Sequence, residues 1–327
     1  MFDITNPIYT DADKAREHLE SIQWPNGPIC PHCGNIDPAR ITKLEGKSTR
    51  PGVYKCKECR KPFSVTVGTV FERSHIPLNK WVLASHLLAS SKKGMSSHQL
   101  HRMLGVTYKT AWFMTHRIRE AMKEDVKSSG PIGGEGKTVE ADETYIGKRE
   151  TPIKSKQRGD RPFIKKGKSG STAKRTVVGL VERGGKVRTF HINHATKESV
   201  RDVLVRNVSR DTNLYTDESR LYTTTGAEYA SHRTVKHSAK EYARKEGDIV
   251  VHTNTIENVF SVFKRGMVGV YQHCGEAHLH RYLAEFDFRY NRRAALKISD
   301  AERAEDILRQ ARGKRLTYRS TGEANHA

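Results

Sequence analysis

Apolar and polar positions alternate along this chain in two distinct rhythms, with a change near residue 130. Residues 11–23, DADKAREHLESIQ, space their apolar positions as a short amphipathic helix that stops at Trp24-Pro25. Short alternating runs follow at Val53-Tyr54-Lys55 and from Phe63 to Val67, which predict strands. Helical spacing returns in Trp81, Leu83, Ala84, Leu87 and Leu88, breaks at Gly94, resumes over Ser97–Leu104, and restarts at Tyr108 after Gly105-Val106-Thr107. The Gly-rich stretch 128–134, SSGPIGG, reads as a linker.

Beyond the linker the rhythm becomes that of strands. Residues 138–146 alternate apolar and acidic residues, and 175–182 with 186–192 read as a hairpin turning at Gly184-Gly185. Residues 198–205 predict a helix, and Asn213–Asp217 a short apolar strand ending on a carboxylate. In HTNTIENVFSVFKRG, residues 252–266, Ile256, Val259, Phe260 and Phe263 share one helix face while Asn254, Glu257, Ser261 and Lys264 share the other. That helix should bury its apolar stripe and present a carboxylate and an amine two turns apart. Glu257 also has a plain reading, because a carboxylate in the first turn suits the helix dipole. In the closing helix, residues 281–293, Tyr282, Phe286 and Tyr290 read as core, while Arg289, Arg292 and Arg293 are available to track a phosphate backbone. Strand, hairpin, helix, strand and later helix predict an α+β domain built on a mixed sheet.

Charge narrows the class of partner. With 58 Lys+Arg against 37 Asp+Glu, the net charge of +21 favours polyanions, most simply double-stranded DNA. No apolar run is long enough to span a bilayer and the polar N-terminus does not resemble a signal peptide, which points to the cytosol. Four of the five cysteines form two CxxC knuckles, Cys30/Cys33 and Cys56/Cys59, whose thiolates can close a tetrahedral structural Zn²⁺ site in a zinc ribbon. Cys274 stands alone and is read as inert. The helix–glycine–helix region has the parts of a helix-turn-helix, with Lys109, Arg117 and Arg119 on the second helix as candidate DNA contacts. An ordinary helical hairpin on a basic protein is the plain alternative.

Three carboxylates then stand on three elements: Asp142 in a strand, Asp217 at a strand end, Glu257 on a helix. Such a set can hold two Mg²⁺ or Mn²⁺ ions, which serve in-line displacement at phosphorus. Glu143 and Glu218 compete with their neighbours for the same roles, and because adjacent strand residues face opposite ways, one of each pair is expected to face the metals.

Taken in order, CPHCG, CKECR, VEADETYIG, VVGLVERGGKV, LYTDE, HTNTIENVFSVFKRG and EFDFRYNRR resemble the insertion-sequence DDE transposases with an N-terminal zinc ribbon, relatives of the Merlin group of elements. The resemblance runs from about Pro25 to Arg293. It implies an RNase H-like catalytic domain with Asp142, Asp217 and Glu257 as the acidic triad. Some members carry asparagine at the third position, so Asn254 stays open as a participant and DNA contact. Lys264 matches the basic residue that follows the triad, and Arg265 adjoins it.

The implied organisation is an N-terminal helical segment (1–24), zinc ribbon (25–73), helix-turn-helix region (74–127), linker (128–137), catalytic domain (138–296) with a basic loop at 147–174, and C-terminal tail (297–327). The implied activity is binding of an element's terminal repeats, cleavage of its ends and joining of the 3′-hydroxyl to target DNA, by at least a homodimer. A bacterial protein associated with the nucleoid would follow. A structure-specific nuclease on the same fold and a catalytically inactive zinc-ribbon regulator are the rival readings.

Overall fold

A computed structural model describes residues 3–150, 154–155, 161–162 and 173–317. Most of the expected basic loop at 147–174 lies outside the described residues. The chain divides into two compact units, one formed by 1–123 with 292–327 and the other by 124–291.

In the first unit, helix α1 (Ala12–Gln23) starts where Asp11 accepts hydrogen bonds from the Asp13 and Lys14 N–H groups, and buries Ala15, Leu19 and Gln23. Strands β1 (Ile41–Lys43), β2 (Tyr54–Cys56) and β3 (Pro62–Phe63) make an antiparallel ribbon. Trp24, Tyr54 and Phe63 pack beside Cys30 and Cys56 in its small core. The expected strand from Phe63 to Val67 is cut short. Ser64 and Thr66 hydroxyls bond to each other and Thr69 Oγ1 donates to the Thr66 carbonyl, so local side-chain bonds favour a turn over a ladder.

Helices α2 (Leu78–Ser90), α3 (Ser97–Leu104) and α4 (Tyr108–Met122) follow. Gly105 ends α3 in the left-handed region at φ 58°, and Thr107 caps α4 by accepting from the Thr110 N–H. The two helices and the glycine turn between them lie where the spacing placed them. A last helix, Asp300–Arg309, packs on α2 and buries Ala304, Ile307 and Leu308. The sequence assigned this stretch to a tail, yet its signals were present: Ser299 and Glu302 form a reciprocal capping box ahead of helically spaced apolar residues.

The second unit is built on a five-stranded sheet. Its strands are β4 (Thr138–Lys148), β5 (Lys174–Glu182), β6 (Val187–Ile192), β7 (Asn213–Asp217) and β8 (Ser231–Val235), in spatial order β8-β7-β4-β5-β6. β4, β7 and β8 are parallel, whereas β5 is antiparallel to β4 and to β6. This order, with one antiparallel strand second in sequence, is RNase H-like. Helix α5 (Lys197–Asn207) covers one face, setting Val200 and Leu204 against Val139, Ala141, Val178 and Leu180. Helices α6 (Asn254–Gly266) and α7 (Leu279–Asn291) cover the other, where Ile256, Phe260, Phe263, Tyr282 and Phe286 join Val177 and Val181. A hairpin of β9 (Ala243–Glu246) and β10 (Ile249–His252) leads into α6.

The outer edge of β6 is closed by side chains of α7. Asn291 accepts from the Val187 N–H and donates to its carbonyl, and Asp287 accepts from the N–H and hydroxyl of Thr189. An edge that would otherwise offer unpaired backbone groups is thereby occupied. Among the described residues, no helix is long and apolar enough to cross a membrane.

Candidate active site and zinc site

The sheet places its acids at the point where the chain reverses direction across it. From β4 the chain moves one way to β5 and β6, then returns to lay β7 on the other side of β4. In open sheets this reversal leaves a crevice at the carboxyl ends of the parallel strands. Here the β4–β7 ladder stops at Glu140 opposite Tyr215, so Asp142, Glu143 and Asp217 lie past the last rung. One oxygen from each of these three carboxylates lies within 4.8 Å of the others.

The expected alternation fails for one of these pairs. Glu140, Asp142 and Thr144 stand opposite Val181, Gly179 and Val177 on the α6 side, while Val139 and Ala141 belong to the α5 side. Glu143 starts on that second face, yet its carboxylate reaches the same cluster as Asp142. Past the last rung no neighbouring strand blocks the β4 edge, and a glutamate is long enough to bend around it. Glu218 follows the expectation, because its carboxylate turns away to accept from the N–H and hydroxyl of Ser238.

Each clustered carboxylate is hydrogen-bonded, and Glu143 is held by the Ser219 side chain as well as by Tyr222. The Glu143 N–H donates to Asp142 Oδ1 at 2.8 Å, the Ser219 N–H to Asp217 Oδ1 at 3.0 Å, and the Tyr222 hydroxyl to Glu143 Oε2 at 2.6 Å. Burial, then the charges of Glu143, Asp217 and Glu257, push Asp142 up to about 8. Burial likewise raises Asp217 and Glu143 from their ordinary values. Three crowded, desolvated anions repel one another, and a hard divalent cation with oxygen preference is the natural counter-charge. The donor set fits Mg²⁺ or Mn²⁺.

Glu257 is not part of that cluster at ligand distance. It sits on the exposed side of α6, where Oε1 accepts from Thr253 Oγ1 at 3.2 Å and lies 3.3 Å from His237 Nε2. His237 also draws Asp217 downward in pKa, so it is electrostatically coupled to carboxylates on both elements. Asn254, Lys264 and Arg265 are exposed on the same helix. The apolar face of α6 lies where the period placed it, with Ile256, Val259, Phe260 and Phe263 all buried.

Two features that the sequence reading passed over hold α6 against the sheet. Glu140, fully buried on β4, accepts from the N–H groups of Thr255 and Ile256 at 2.9 and 3.1 Å and from Thr255 Oγ1 at 2.9 Å. It caps the helix from outside. Arg183 donates to Glu140 Oε1 at 2.7 Å and to the carbonyls of Val250 and His252, tying β10 to the same point. Gly179, opposite Asp142, leaves room for the helix, since a Cβ there would stand 2.7 Å from Ile256 Cδ1 and from Phe260 Cζ. The signal for Glu140 was its apolar neighbourhood, a charge between Val139 and Ala141 that must find donors inside.

The cysteines assemble as expected. Their four Sγ atoms lie within 4.8 Å of one another, with Cys30–Cys59 at 3.6 Å and Cys33–Cys56 at 3.7 Å. A tetrahedron with Zn–S near 2.3 Å has sulfur edges of about 3.8 Å, so the set fits zinc. The backbone N–H of Cys59, with Asn35 and the N–H of Glu58, brings the Cys56 thiol down to about 6, which favours the ligating thiolate.

Three of the expected DNA contacts need correction. Arg117 is buried and donates to the carbonyls of Leu316 and Glu72, and Arg119 is 1% exposed and donates to Thr115 Oγ1. Their guanidinium groups serve the interior of the first unit, because the second half of α4 faces its core. Arg289, on α7, is likewise buried and paired with Glu285. Lys109 is exposed in the first turn of α4, beside exposed Tyr108, whose ring stacks on His98 at 4.2 Å.

Residues 133–291 match the ISXO2-like transposase domain and residues 10–62 the transposase zinc-ribbon domain. Over 261 residues the chain is 31% identical to a Halobacterium salinarum protein described as an uncharacterized protein in transposable element ISH50, across 77% of this chain and 82% of the relative. The chain belongs to the IS1595 family of insertion-sequence DDE transposases. Among solved structures, a Mos1 transposase paired-end complex with the left transposon end is 11% identical at TM-score 0.21, covering 64% of this chain and 76% of that one. The Mos1 strand transfer complex is 10% identical at TM-score 0.20, covering 67% and 78%. Superpositions this loose carry no detail to this transposase, whose fold class rests on its own strand order and cysteine cluster.

Proposed function

We propose that this transposase binds the terminal repeats of its element, cuts the DNA ends and joins the freed 3′-hydroxyl to target DNA. The observation that carries this reading is the carboxylate cluster of Asp142, Glu143 and Asp217 at the chain-reversal crevice of an RNase H-like sheet. Two bound Mg²⁺ or Mn²⁺ ions would supply activation of the attacking oxygen and stabilisation of the leaving one. Asp142 and Asp217 would hold the cations, each carboxylate oriented by the backbone N–H that it accepts. Glu257 completes the triad from α6, with Thr253 and His237 orienting its carboxylate and Asn254 beside it at the helix start. Lys264 and Arg265 take phosphates of the DNA, as does Lys109 at the start of α4. Cleavage and joining are both phosphoryl transfers to an oxygen nucleophile, so one site serves both and no covalent protein intermediate is needed. Handling two ends together calls for at least a homodimer, acting on DNA in the cytoplasm.

The test is a strand-transfer assay in Mg²⁺ with pre-cut element ends and a supercoiled target, comparing the parent with Asp217→Asn. Joined product from the parent alone supports the reading. Hydrolysis without joining would replace it with a nuclease, and DNA binding with neither reaction would replace it with a regulator.

A further inference from the structure

Glu143 was a rival for Asp142's role on sequence grounds, and the fold makes it a companion instead. Its carboxylate enters the cluster from the opposite face of β4, around an edge that lacks a neighbouring strand. Such a reach leaves several rotatable bonds to be held, and the side chain is held by Tyr222, whose hydroxyl donates to Oε2 at 2.6 Å, and by the Ser219 side chain from the loop after β7. Tyr222 is itself fully buried, packed in the apolar cluster of Val139, Ala141, Leu204 and Leu214. A phenol so enclosed has little room to move, and its hydroxyl, like most buried ones, is hydrogen-bonded, here to Glu143. With Oε2 so engaged and Ser219 bonding the same carboxylate, the group is oriented while one of its oxygens stays within 4.8 Å of those of Asp142 and Asp217.

We propose that Glu143 is an additional cation ligand of the catalytic site and that Tyr222 is its positioning residue. The inference rests on the metal-dependent reading above and deepens it, since it adds a ligand from the α5 side of the sheet to the DDE set. A hydrogen-bonded outer partner of this kind sets ligand orientation, and its loss typically weakens metal affinity by about 10–100-fold. The hydroxyl of Tyr229 gives an internal comparison: it lies in the same core cluster with no hydrogen-bond partner among the described residues.

The test is Mn²⁺ binding to the zinc-loaded full chain, followed by electron paramagnetic resonance and calorimetry, with Asp142→Asn marking the specific sites. Expected are loss of about tenfold or more in affinity for Glu143→Gln, a similar loss for Tyr222→Phe, and parent affinity for Tyr229→Phe. Circular dichroism and unfolding of each variant without Mn²⁺ confirm that the fold is retained. In strand transfer, Tyr222→Phe should raise the Mn²⁺ concentration for half-maximal rate more than it lowers the rate at saturation. Parent affinity in Glu143→Gln overturns the proposal while leaving the metal site intact, and parent affinity in Tyr222→Phe alone overturns the positioning role. A parent chain that binds no Mn²⁺ at the Asp142 site overturns the metal-dependent reading itself.

Discussion

The buried carboxylate of Glu140 accepts the backbone N–H of Thr255 at 2.9 Å, joining the strand that carries Asp142 to the helix that carries Glu257. Asp142 lies two positions beyond Glu140 and Glu257 two beyond Thr255, so one hydrogen bond sets the register between these two carboxylates. The helix N-terminus needs acceptors and the buried carboxylate needs donors, and each satisfies the other. Arg183 supplies the compensating charge.

Removing that carboxylate should be costly. Glu140→Ala leaves the Arg183 guanidinium and two helix N–H groups without their acceptor, and loss of one member of a buried pair costs about 3–5 kcal/mol. Urea unfolding of the parent, Glu140→Ala, Arg183→Ala and the double variant would check this. The double variant should lose much less than the sum of the singles; additive losses would mean that the two residues act independently.

How far this was legible in the sequence depends on the kind of signal. The buried face of α6 and the cysteine knuckles were readable because each rests on a fixed period or spacing, which the fold has no freedom to alter. The places of Glu140 and Glu143 were not. One residue becomes a cap only when a helix 115 residues later docks on it, and the other joins the cluster only because a ladder ends at Glu140. Arg117 and Arg119 misled for a related reason: a basic residue on a helix looks like a DNA contact until its face is known, and long side chains can fold inward onto carbonyls and hydroxyls. The helix at Asp300–Arg309 was legible from its capping box and was outweighed by the polarity of its surroundings.

A second carboxylate gives a stability signature. Asp287, held between α7 and β6 with Thr189 as its donor, is pushed up to about 8 chiefly by burial, from an ordinary 3.8. The folded state therefore holds a proton that the unfolded state has released over the window from about 4 to about 8. Its contribution is fully present below the unfolded value and is lost as pH rises through the folded one. Asp287→Asn keeps an acceptor for the Thr189 N–H and cannot ionise. Compared at pH 5 and pH 8 by thermal unfolding, the parent should lose more stability on going to pH 8 than the variant; equal losses would show that Asp287 is ionised throughout.

Zinc removal should act on the ribbon selectively. Its core is small, with Cys30 and Cys56 among its few buried residues, so the metal supplies much of its folding energy. One Zn²⁺ per chain is expected by atomic emission, and chelation or Cys56→Ser should expose Trp24, seen as a red shift in its fluorescence. The five-stranded sheet of 124–291 does not draw on these ligands, so Mn²⁺ binding at the acidic cluster should survive. Retention of the ribbon's proteolytic protection without zinc would contradict the assignment.

The two halves of α4 should respond differently to the loss of charge. Lys109 is exposed in the first turn, whereas Arg119 is 1% exposed and bonded to Thr115. If the helix-turn-helix meets DNA through the start of α4, Lys109→Ala removes a phosphate contact, weakens binding across sequences and reduces the salt slope by about one, with stability little changed. Arg119→Ala instead opens a cavity and removes a buried hydrogen bond to Thr115, so it should lower the unfolding midpoint while leaving the salt slope of the folded fraction at the parent value. Titrating element-end DNA at several salt concentrations, beside urea unfolding of both variants, separates the effects. A reduced salt slope for Arg119→Ala with parent stability would return that residue to the DNA surface and overturn the burial argument.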